Sequence, residues 1–172
     1  LAPALLILTE SNQLADMASY FYGIDRSRFV AMPLAPSPFV DASQANNMEV
    51  VLRKYNLGTG YLFYPAQFWP HKNHIRILEA LVVLRDLQNH RVNLVLSGKD
   101  YGNLEHINKY INKHSLESQV KILGFVPSED MRGLYEGCAA VIMPTYFGPT
   151  NIPPLEAWLI GRPLIYSSHL AE

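Results

Sequence analysis

Between residues 61 and 166, five short apolar runs alternate with four segments in which apolar residues recur at helical spacing. We predict strands over 61–64, 92–96, 120–123, 139–143 and 163–166, and helices over 74–87, 104–114, 128–136 and 154–160. Ser128 is expected to cap the third of these helices. A regular alternation of strands and helices is typical of a sheet whose strands run parallel and whose two faces are covered by helices. The sequence therefore predicts a doubly wound parallel sheet of the α/β class.

The residues before this alternation predict a smaller βαβ unit and a linker. We expect a strand over 5–9, a helix that begins after a capping Ser11 and ends before Gly23, a strand over 29–32, and a short helix over 48–55. Three prolines fall within 33–38, and the stretch 41–47 after them is polar, which indicates a loop. The βαβ unit is too small to be a domain by itself.

Length and charge exclude several classes of protein. A chain of 172 residues is one domain with a modest surplus. Its 14 basic residues against 15 acidic ones argue against broad binding of nucleic acid, which needs clustered excess Lys and Arg. The single cysteine, Cys138, excludes an intrachain disulfide and a multi-cysteine zinc site. No apolar run is long enough for a transmembrane segment. Because we also recognise no export signal, we expect a cytoplasmic protein.

Doubly wound sheets bind ligands beyond the carboxyl ends of their strands, so four loops deserve inspection: 65–73, 98–102, 124–128 and 144–153. In the first loop, Lys72 lies close to the start of a helix, where a positive charge and free N–H groups suit a phosphate. The alternative is a solvated lysine. Near the fourth loop, Glu156 is expected in the first turn of a helix, where it either accepts hydrogen bonds from a vicinal diol or merely complements the helix dipole.

Three blocks of sequence, taken together, resemble one family. They are YPAQFWPHKNH at 64–74, GFVP at 124–127, and PPLEA at 153–157 with GRPLI behind it. In order and spacing these blocks resemble the retaining glycosyltransferases of family four, the glycosyl transferases of group 1, which have the GT-B fold. The resemblance covers 61–168 and implies a Rossmann-like, C-terminal donor-binding domain.

The resemblance assigns roles to matching residues. Lys72 would contact the diphosphate of a nucleotide-sugar, and Glu156, as the second glutamate of the family's paired-glutamate motif, would bind the ribose hydroxyls. These two are the candidate catalytic residues. Candidate donor-binding residues are Gln67, Gly98, Phe125, Val126, Pro127, Met131, Gly148, Pro149, Thr150 and Asn151, with the turn at 125–127 lining the nucleobase pocket. No metal ligand is expected, because His71 and His74 have no third ligand nearby.

Two positions depart from the family pattern. The family has an arginine where this chain has Gln67, which carries no charge, so stabilisation of the leaving diphosphate would depend more on Lys72. The first glutamate of the motif falls on Gly148, which has no carboxylate. The loop would then contact the sugar through backbone N–H groups, the Thr150 hydroxyl or the Asn151 amide. A changed donor pocket and a loss of activity are both open explanations.

The resemblance also implies the organisation and the reaction. Residues 1–40 would be the remnant of an N-terminal acceptor-binding domain with its linker, and 41–172 a donor-binding domain truncated at its C-terminus. The whole enzyme would move a hexose such as mannose, with retention, from a GDP- or UDP-sugar to a glycan or lipid-linked acceptor at the membrane surface. It would need no cofactor. We expect this chain alone to bind nucleotide but to turn over poorly.

Two other functions remain as alternatives. The first is a non-catalytic module that binds nucleotides or sugars, with Gly148 marking the lost activity. The second is an epimerase of GT-B shape, which binds a nucleotide-sugar without an acceptor. A dehydrogenase is disfavoured because the loop at 98–102 lacks the glycine-rich dinucleotide fingerprint.

Overall fold

The computed structural model describes residues 5–41, 45–148 and 151–170. The strands are β1 (Ile7–Thr9), β2 (Phe29–Ala31), β3 (Tyr61–Pro65), β4 (Leu94–Ser97), β5 (Val120–Ile122), β6 (Cys138–Met143) and β7 (Leu164–Tyr166). The α-helices are α1 (Asn12–Tyr22), α2 (Met48–Lys54), α3 (His74–Gln88), α4 (Leu104–Lys113), α5 (Ser128–Gly137) and α6 (Ile152–Leu159). Each element predicted from the sequence is therefore present, with ends that differ by a few residues.

Five strands form one parallel sheet in the order β5-β4-β3-β6-β7. The first of these strands along the chain, β3, lies at the centre, and the chain winds outward from it in both directions. This is the order of a doubly wound sheet, so the predicted fold class is confirmed. The carboxyl ends of β3 and its neighbours β4 and β6 meet at one edge, and the loops that follow them lie side by side.

Helices cover both faces of this sheet, and the residues of β3 alternate between two cores. Tyr64 points into a core filled by apolar residues of α3 and α4, with Leu94 and Leu96 of β4. Phe63 points the other way, into a core formed with α2, α5 and α6. Burial on both faces explains why the three inner strands, β3, β4 and β6, are largely apolar.

The predicted βαβ unit is also present, as a parallel pair of strands, β1 and β2, with α1 between them. Its helix has the caps expected from the sequence. The Ser11 side chain accepts a hydrogen bond from the Leu14 N–H at 3.1 Å, and Gly23 ends the helix in the left-handed conformation that glycine tolerates best. From β2 the chain runs to a 3₁₀ turn at Pro38–Val40, where the Val40 carbonyl accepts a hydrogen bond from Arg132 of α5.

Two local predictions are wrong. Ser128 is the first residue of α5 and Pro127 occupies the cap position, so Ser128 does not cap the helix. Helix α6 begins at Ile152, which moves Glu156 out of the first turn. Glu156 therefore does not lie where it would complement the dipole of the helix start.

Candidate functional site

The loops after β3 and β4 lie in close contact at the carboxyl edge of the sheet. The Ala66 N–H donates to the Ser97 carbonyl at 2.9 Å, and the Phe68 N–H donates to the Lys99 carbonyl at 3.0 Å. Between them, a Cβ on Gly98 would lie 2.3 Å from the Ala66 carbonyl oxygen. Only glycine permits this approach of the two backbones. Gly98 is thus required by packing, whatever it contacts in a ligand.

A cleft of about 270 Å³ opens at this edge, between the loops after β3, β4 and β5. Its lining consists of Pro65, Ala66, Gln67, Ser97, Gly98, Lys99, Phe125, Val126 and Met131. Five predicted donor-binding residues therefore meet in one cleft: Gln67, Gly98, Phe125, Val126 and Met131. The Phe125 side chain is 78% exposed, so its ring is free to lie against a flat ligand. Pro127 does not line the cleft but caps α5 directly behind it.

A buried carboxylate, that of Glu156, is hydrogen-bonded to α5, the helix that also supplies Met131 to the cleft. Tyr135 follows Met131 by four residues on α5, which places both side chains on the same face of the helix. The Tyr135 hydroxyl donates to Glu156 Oε2 at 2.6 Å, and the Ser37 hydroxyl donates to Oε1 of the same carboxylate. Burial, together with the charge of Glu156, raises the pKa of Tyr135 well above its usual range, so the phenol keeps its proton.

Lys72 lies at the end of a 3₁₀ turn, Pro70–Lys72, that leads into α3. The next residue, Asn73, takes the left-handed conformation at φ 55°, and its side chain donates to the Pro144 carbonyl at 3.0 Å. This bond ties the loop after β3 to the loop after β6. The Lys72 Nζ donates to Asn151 Oδ1 at 3.1 Å, and burial lowers the pKa of the Lys72 ammonium.

Asn151 connects three parts of the site through its side-chain amide. Besides accepting from Lys72, it donates to the Gly148 carbonyl and to the Tyr166 hydroxyl, each at 2.8 Å. Gly148 has a φ of 129°, and a Cβ added there would lie 3.1 Å from Asn151 Oδ1. The Asn151 amide thus fills the space beside Gly148. The predicted residues Pro149 and Thr150 lie outside the described part of the chain.

The start of α6 offers few N–H donors to an anion. Pro153 and Pro154 are its second and third residues, and neither has an N–H to donate. Two of the donors that a helix normally offers in its first turn are therefore absent. Positive charge for an anion at this loop comes mainly from Lys72.

A row of aromatic rings crosses the same edge, and sequence reasoning missed it. Trp69 stacks on Tyr101 with ring centroids 4.3 Å apart, and His71 stacks on Phe147 at 4.4 Å. Trp69 Nε1 also donates to Gln67 Oε1 at 3.0 Å. The side-chain oxygen of Gln67, a residue expected to contact the nucleotide-sugar, therefore already has a partner. The sequence does contain a sign of it: the four aromatic residues lie in three of the loops that follow strands, and such loops meet at one edge of a parallel sheet.

The two histidines considered for a metal have different surroundings. His74 is buried between the rings of Tyr64 and Phe68, at 4.8 and 5.0 Å, whereas His71 lies in the aromatic row. Within the described ranges, no three His, Cys, Asp or Glu side chains group together as ligands for a metal ion. The described helices also include none with the length and apolar character that a bilayer span requires.

Comparison with known proteins gives consistent matches. A family model, Glycosyl transferases group 1, matches residues 53–170. The O-antigen chain mannosyltransferase B of Escherichia coli is 29% identical over 167 residues, which is 96% of this chain and 44% of that protein. The serotype-specific mannosyltransferase WbdA of Escherichia coli is 27% identical over 126 residues, 72% of this chain and 16% of that protein. The chain spans less than half the length of these relatives.

Solved structures share the fold. A glycosyltransferase from Rickettsia africae superposes with a TM-score of 0.78 at 17% identity, over 95% of this chain and 44% of that one. WaaG, a glycosyltransferase involved in lipopolysaccharide biosynthesis, gives 0.77 at 21% identity, over 97% and 46%. Anabaena Alr3699/HepE in complex with UDP-glucose gives 0.77 at 19% identity, over 96% and 45%. The predicted Rossmann-like half of a GT-B architecture is thereby confirmed.

Proposed function

Because the chain belongs to the glycosyl transferases of group 1, we propose that it forms the donor-binding part of an enzyme that moves a sugar from a nucleoside diphosphate to an acceptor hydroxyl. The observation that carries this proposal is the arrangement at the carboxyl edge of the sheet. An exposed ring at Phe125, a buried carboxylate at Glu156 and a cation at Lys72 lie at one edge, in the loops and helices that doubly wound sheets use for ligands.

Each of these groups suits one part of a nucleoside diphosphate. The cleft beside Phe125 takes the flat base. The Glu156 carboxylate, which is hydrogen-bonded to Tyr135 of α5, accepts hydrogen bonds from the ribose hydroxyls. Lys72 contacts the diphosphate as a point positive charge. Of the donor-binding candidates, Gly98 acts by letting the two loops approach and Pro127 by starting α5, so neither needs to touch the ligand.

The chemistry follows from charge. When the bond between the sugar and the diphosphate breaks, negative charge develops on the leaving oxygen, and Lys72 stabilises it. Since Gln67 carries no charge, Lys72 does more of this than it would with an arginine beside it. The transferred sugar contacts the Asn151 amide and the backbone of Gly148. Transfer proceeds with retention of configuration at the anomeric carbon. The reaction needs no cofactor from this chain.

The donor and the acceptor are proposed from the relatives. The two Escherichia coli proteins are named as mannosyltransferases, which supports a hexose and, among hexoses, mannose on GDP. The HepE complex contains UDP-glucose, which supports a nucleotide-sugar and keeps UDP as a second base to test. The acceptor is a glycan or a lipid-linked glycan at the cytoplasmic membrane surface, bound by a domain outside residues 41–172. Transferase names favour transfer over a non-catalytic module or an epimerase.

Calorimetric titration tests the binding part of the proposal. GDP, UDP, GMP and UMP are titrated into the chain, and then the corresponding nucleotide-sugars. We expect one of the diphosphates to bind, and to bind more tightly than its monophosphate, because Lys72 acts on the phosphates. Absence of heat and of any thermal shift with every nucleotide contradicts the proposal. Transfer is tested on the full-length protein, with product analysis separating transfer from epimerisation.

A further inference from the structure

Ser37 bonds to Glu156 across 119 residues of chain. It belongs to the proline-rich stretch between β2 and α2, and its hydroxyl donates to Glu156 Oε1. The stretch is held in place nearby, because the Val40 N–H closes a turn on the Ser37 carbonyl at 3.1 Å and the Val40 carbonyl accepts from Arg132. The bond therefore connects the stretch after β2 to the carboxylate on α6.

Glu156 is only 4% exposed, and Ser37 and Tyr135 each donate to one of its two carboxylate oxygens. The two hydroxyls differ in how easily they can leave. Tyr135 is fully buried in the core, where its ring packs edge-to-face against Phe63 at 5.2 Å. Ser37 is half-buried on a segment without an α-helix or strand. A ligand that approaches Glu156 must therefore displace Ser37, and Tyr135 stays.

We propose that Ser37 is a specificity-determining residue of the nucleotide site: its hydroxyl occupies the ribose position on Glu156 and gives it up only to a ligand with a ribose hydroxyl. This inference rests on the proposed function and adds a residue that lies outside the donor-binding domain predicted from the sequence. The exchange moves no proton between groups, because one hydroxyl donor replaces another on the same carboxylate oxygen.

The exchange has a thermodynamic consequence. In the wild-type chain, a ribose hydroxyl forms its bond to Glu156 only after the bond from Ser37 is broken. The ribose hydroxyl therefore adds little to the binding free energy. Without the Ser37 hydroxyl, Oε1 lacks that bond in the free chain and the ribose satisfies it. A buried acceptor left without its partner is costly, so the variant gains more from the ribose than the wild type does. A nucleotide that lacks both ribose hydroxyls gains nothing in either protein.

The test compares Ser37→Ala with the wild type by calorimetry, using the nucleoside diphosphate that binds best and its 2′,3′-dideoxy analogue. We expect Ser37→Ala to bind the ribonucleotide about threefold to tenfold more tightly, which corresponds to one neutral hydrogen bond. Its affinity for the dideoxy analogue should not change. Ser37→Thr keeps the hydroxyl and should bind as the wild type does. Ser118→Ala, at an exposed serine on the opposite edge of the sheet, is the matched control.

The possible outcomes separate this inference from the proposed function. If the wild-type chain binds no nucleotide, the proposed function fails and the inference fails with it. If the wild type binds but Ser37→Ala binds equally well or more weakly, only the inference is overturned, and a weaker affinity makes Ser37 a support for Glu156. An equal increase in the affinity of Ser37→Ala for the dideoxy analogue also overturns the inference, because the increase then does not depend on the ribose hydroxyls.

Discussion

The hydroxyl of Tyr135 donates a hydrogen bond of 2.6 Å to the Glu156 carboxylate, joining α5 to α6 inside the core. Glu156 is almost fully buried, and a buried carboxyl group is tolerated only when its oxygens have partners. Tyr135 thus fixes the carboxylate that we assign to the ribose. The same bond connects the ligand site with the packing of the two helices.

Replacing Tyr135 by Phe removes this donor and keeps the ring. We expect the free energy of unfolding to fall by about 1–3 kcal/mol, because Glu156 Oε2 is left without a partner in a buried position. Urea unfolding measures the change. Tyr20→Phe is the matched control, since Tyr20 is 84% exposed and should tolerate the same change without loss. Equal stability of the Tyr135 variant and the wild type contradicts the assigned bond.

Replacing Lys72 by Ala removes the ammonium group that contacts Asn151. Since a hydrogen bond to a charged group contributes about 1.5–3 kcal/mol, we expect nucleoside diphosphate affinity to fall about tenfold to a hundredfold. The corresponding monophosphate should lose less, because it has one phosphate fewer to contact. The control is Lys113→Ala, at an exposed position at the end of α4. An unchanged diphosphate affinity removes Lys72 from its proposed role.

The fold was predictable because its signals are local. Each strand is a short apolar run, each helix carries its own periodicity, and Gly23 and Ser11 mark the ends of α1 within a few residues. The edge rule for parallel sheets then indicated loops that the fold does bring together, and the residues around Gly98 and Phe125 meet in one cleft.

The partners within the site were not predictable, because they come from distant parts of the chain. Ser37 and Glu156 are separated by 119 residues, and Lys72 and Asn151 by 79. Neither the periodicity nor the spacing of residues along the chain predicts a contact between such distant residues. The start of α6 shows a second limit. Adjacent prolines fit several positions of a first helical turn, so the sequence does not define the residue at which the helix begins. The helix begins at Ile152, which places Glu156 beyond the first turn.

Restoring the family's first glutamate by Gly148→Glu should not improve the site. Gly148 has a φ of 129°, which side chains rarely adopt, and a Cβ there meets the Asn151 amide at 3.1 Å. We expect lower thermal stability and weaker binding of the nucleotide-sugar, because Asn151 loses its bond to Lys72 when it moves. Gly58→Ala, where a Cβ meets nothing within 4 Å, is the steric control. Tighter donor binding by Gly148→Glu would show that the loop accommodates the glutamate.

His74 should make the protein less stable in mild acid. Its ring is buried, and neither ring nitrogen has a hydrogen-bond partner within the described residues. Burial lowers the pKa of His74 to about 4, against about 6.5 for an unfolded histidine. Between these two values the unfolded chain binds the extra proton, so the free energy of unfolding should fall as the pH drops from about 6.5 to 4 and should lose nothing more from this group below that.

The size of this effect follows from the two pKa values and is at most about 3 kcal/mol. Urea unfolding at a series of pH values measures it. His74→Phe keeps an aromatic ring between Tyr64 and Phe68 but cannot titrate, so its stability should depend less on pH across this range. His90→Gln, at an exposed histidine, should keep the wild-type dependence. If His74→Phe and the wild type lose stability in parallel, the acid sensitivity belongs to other groups and His74 does not contribute to it.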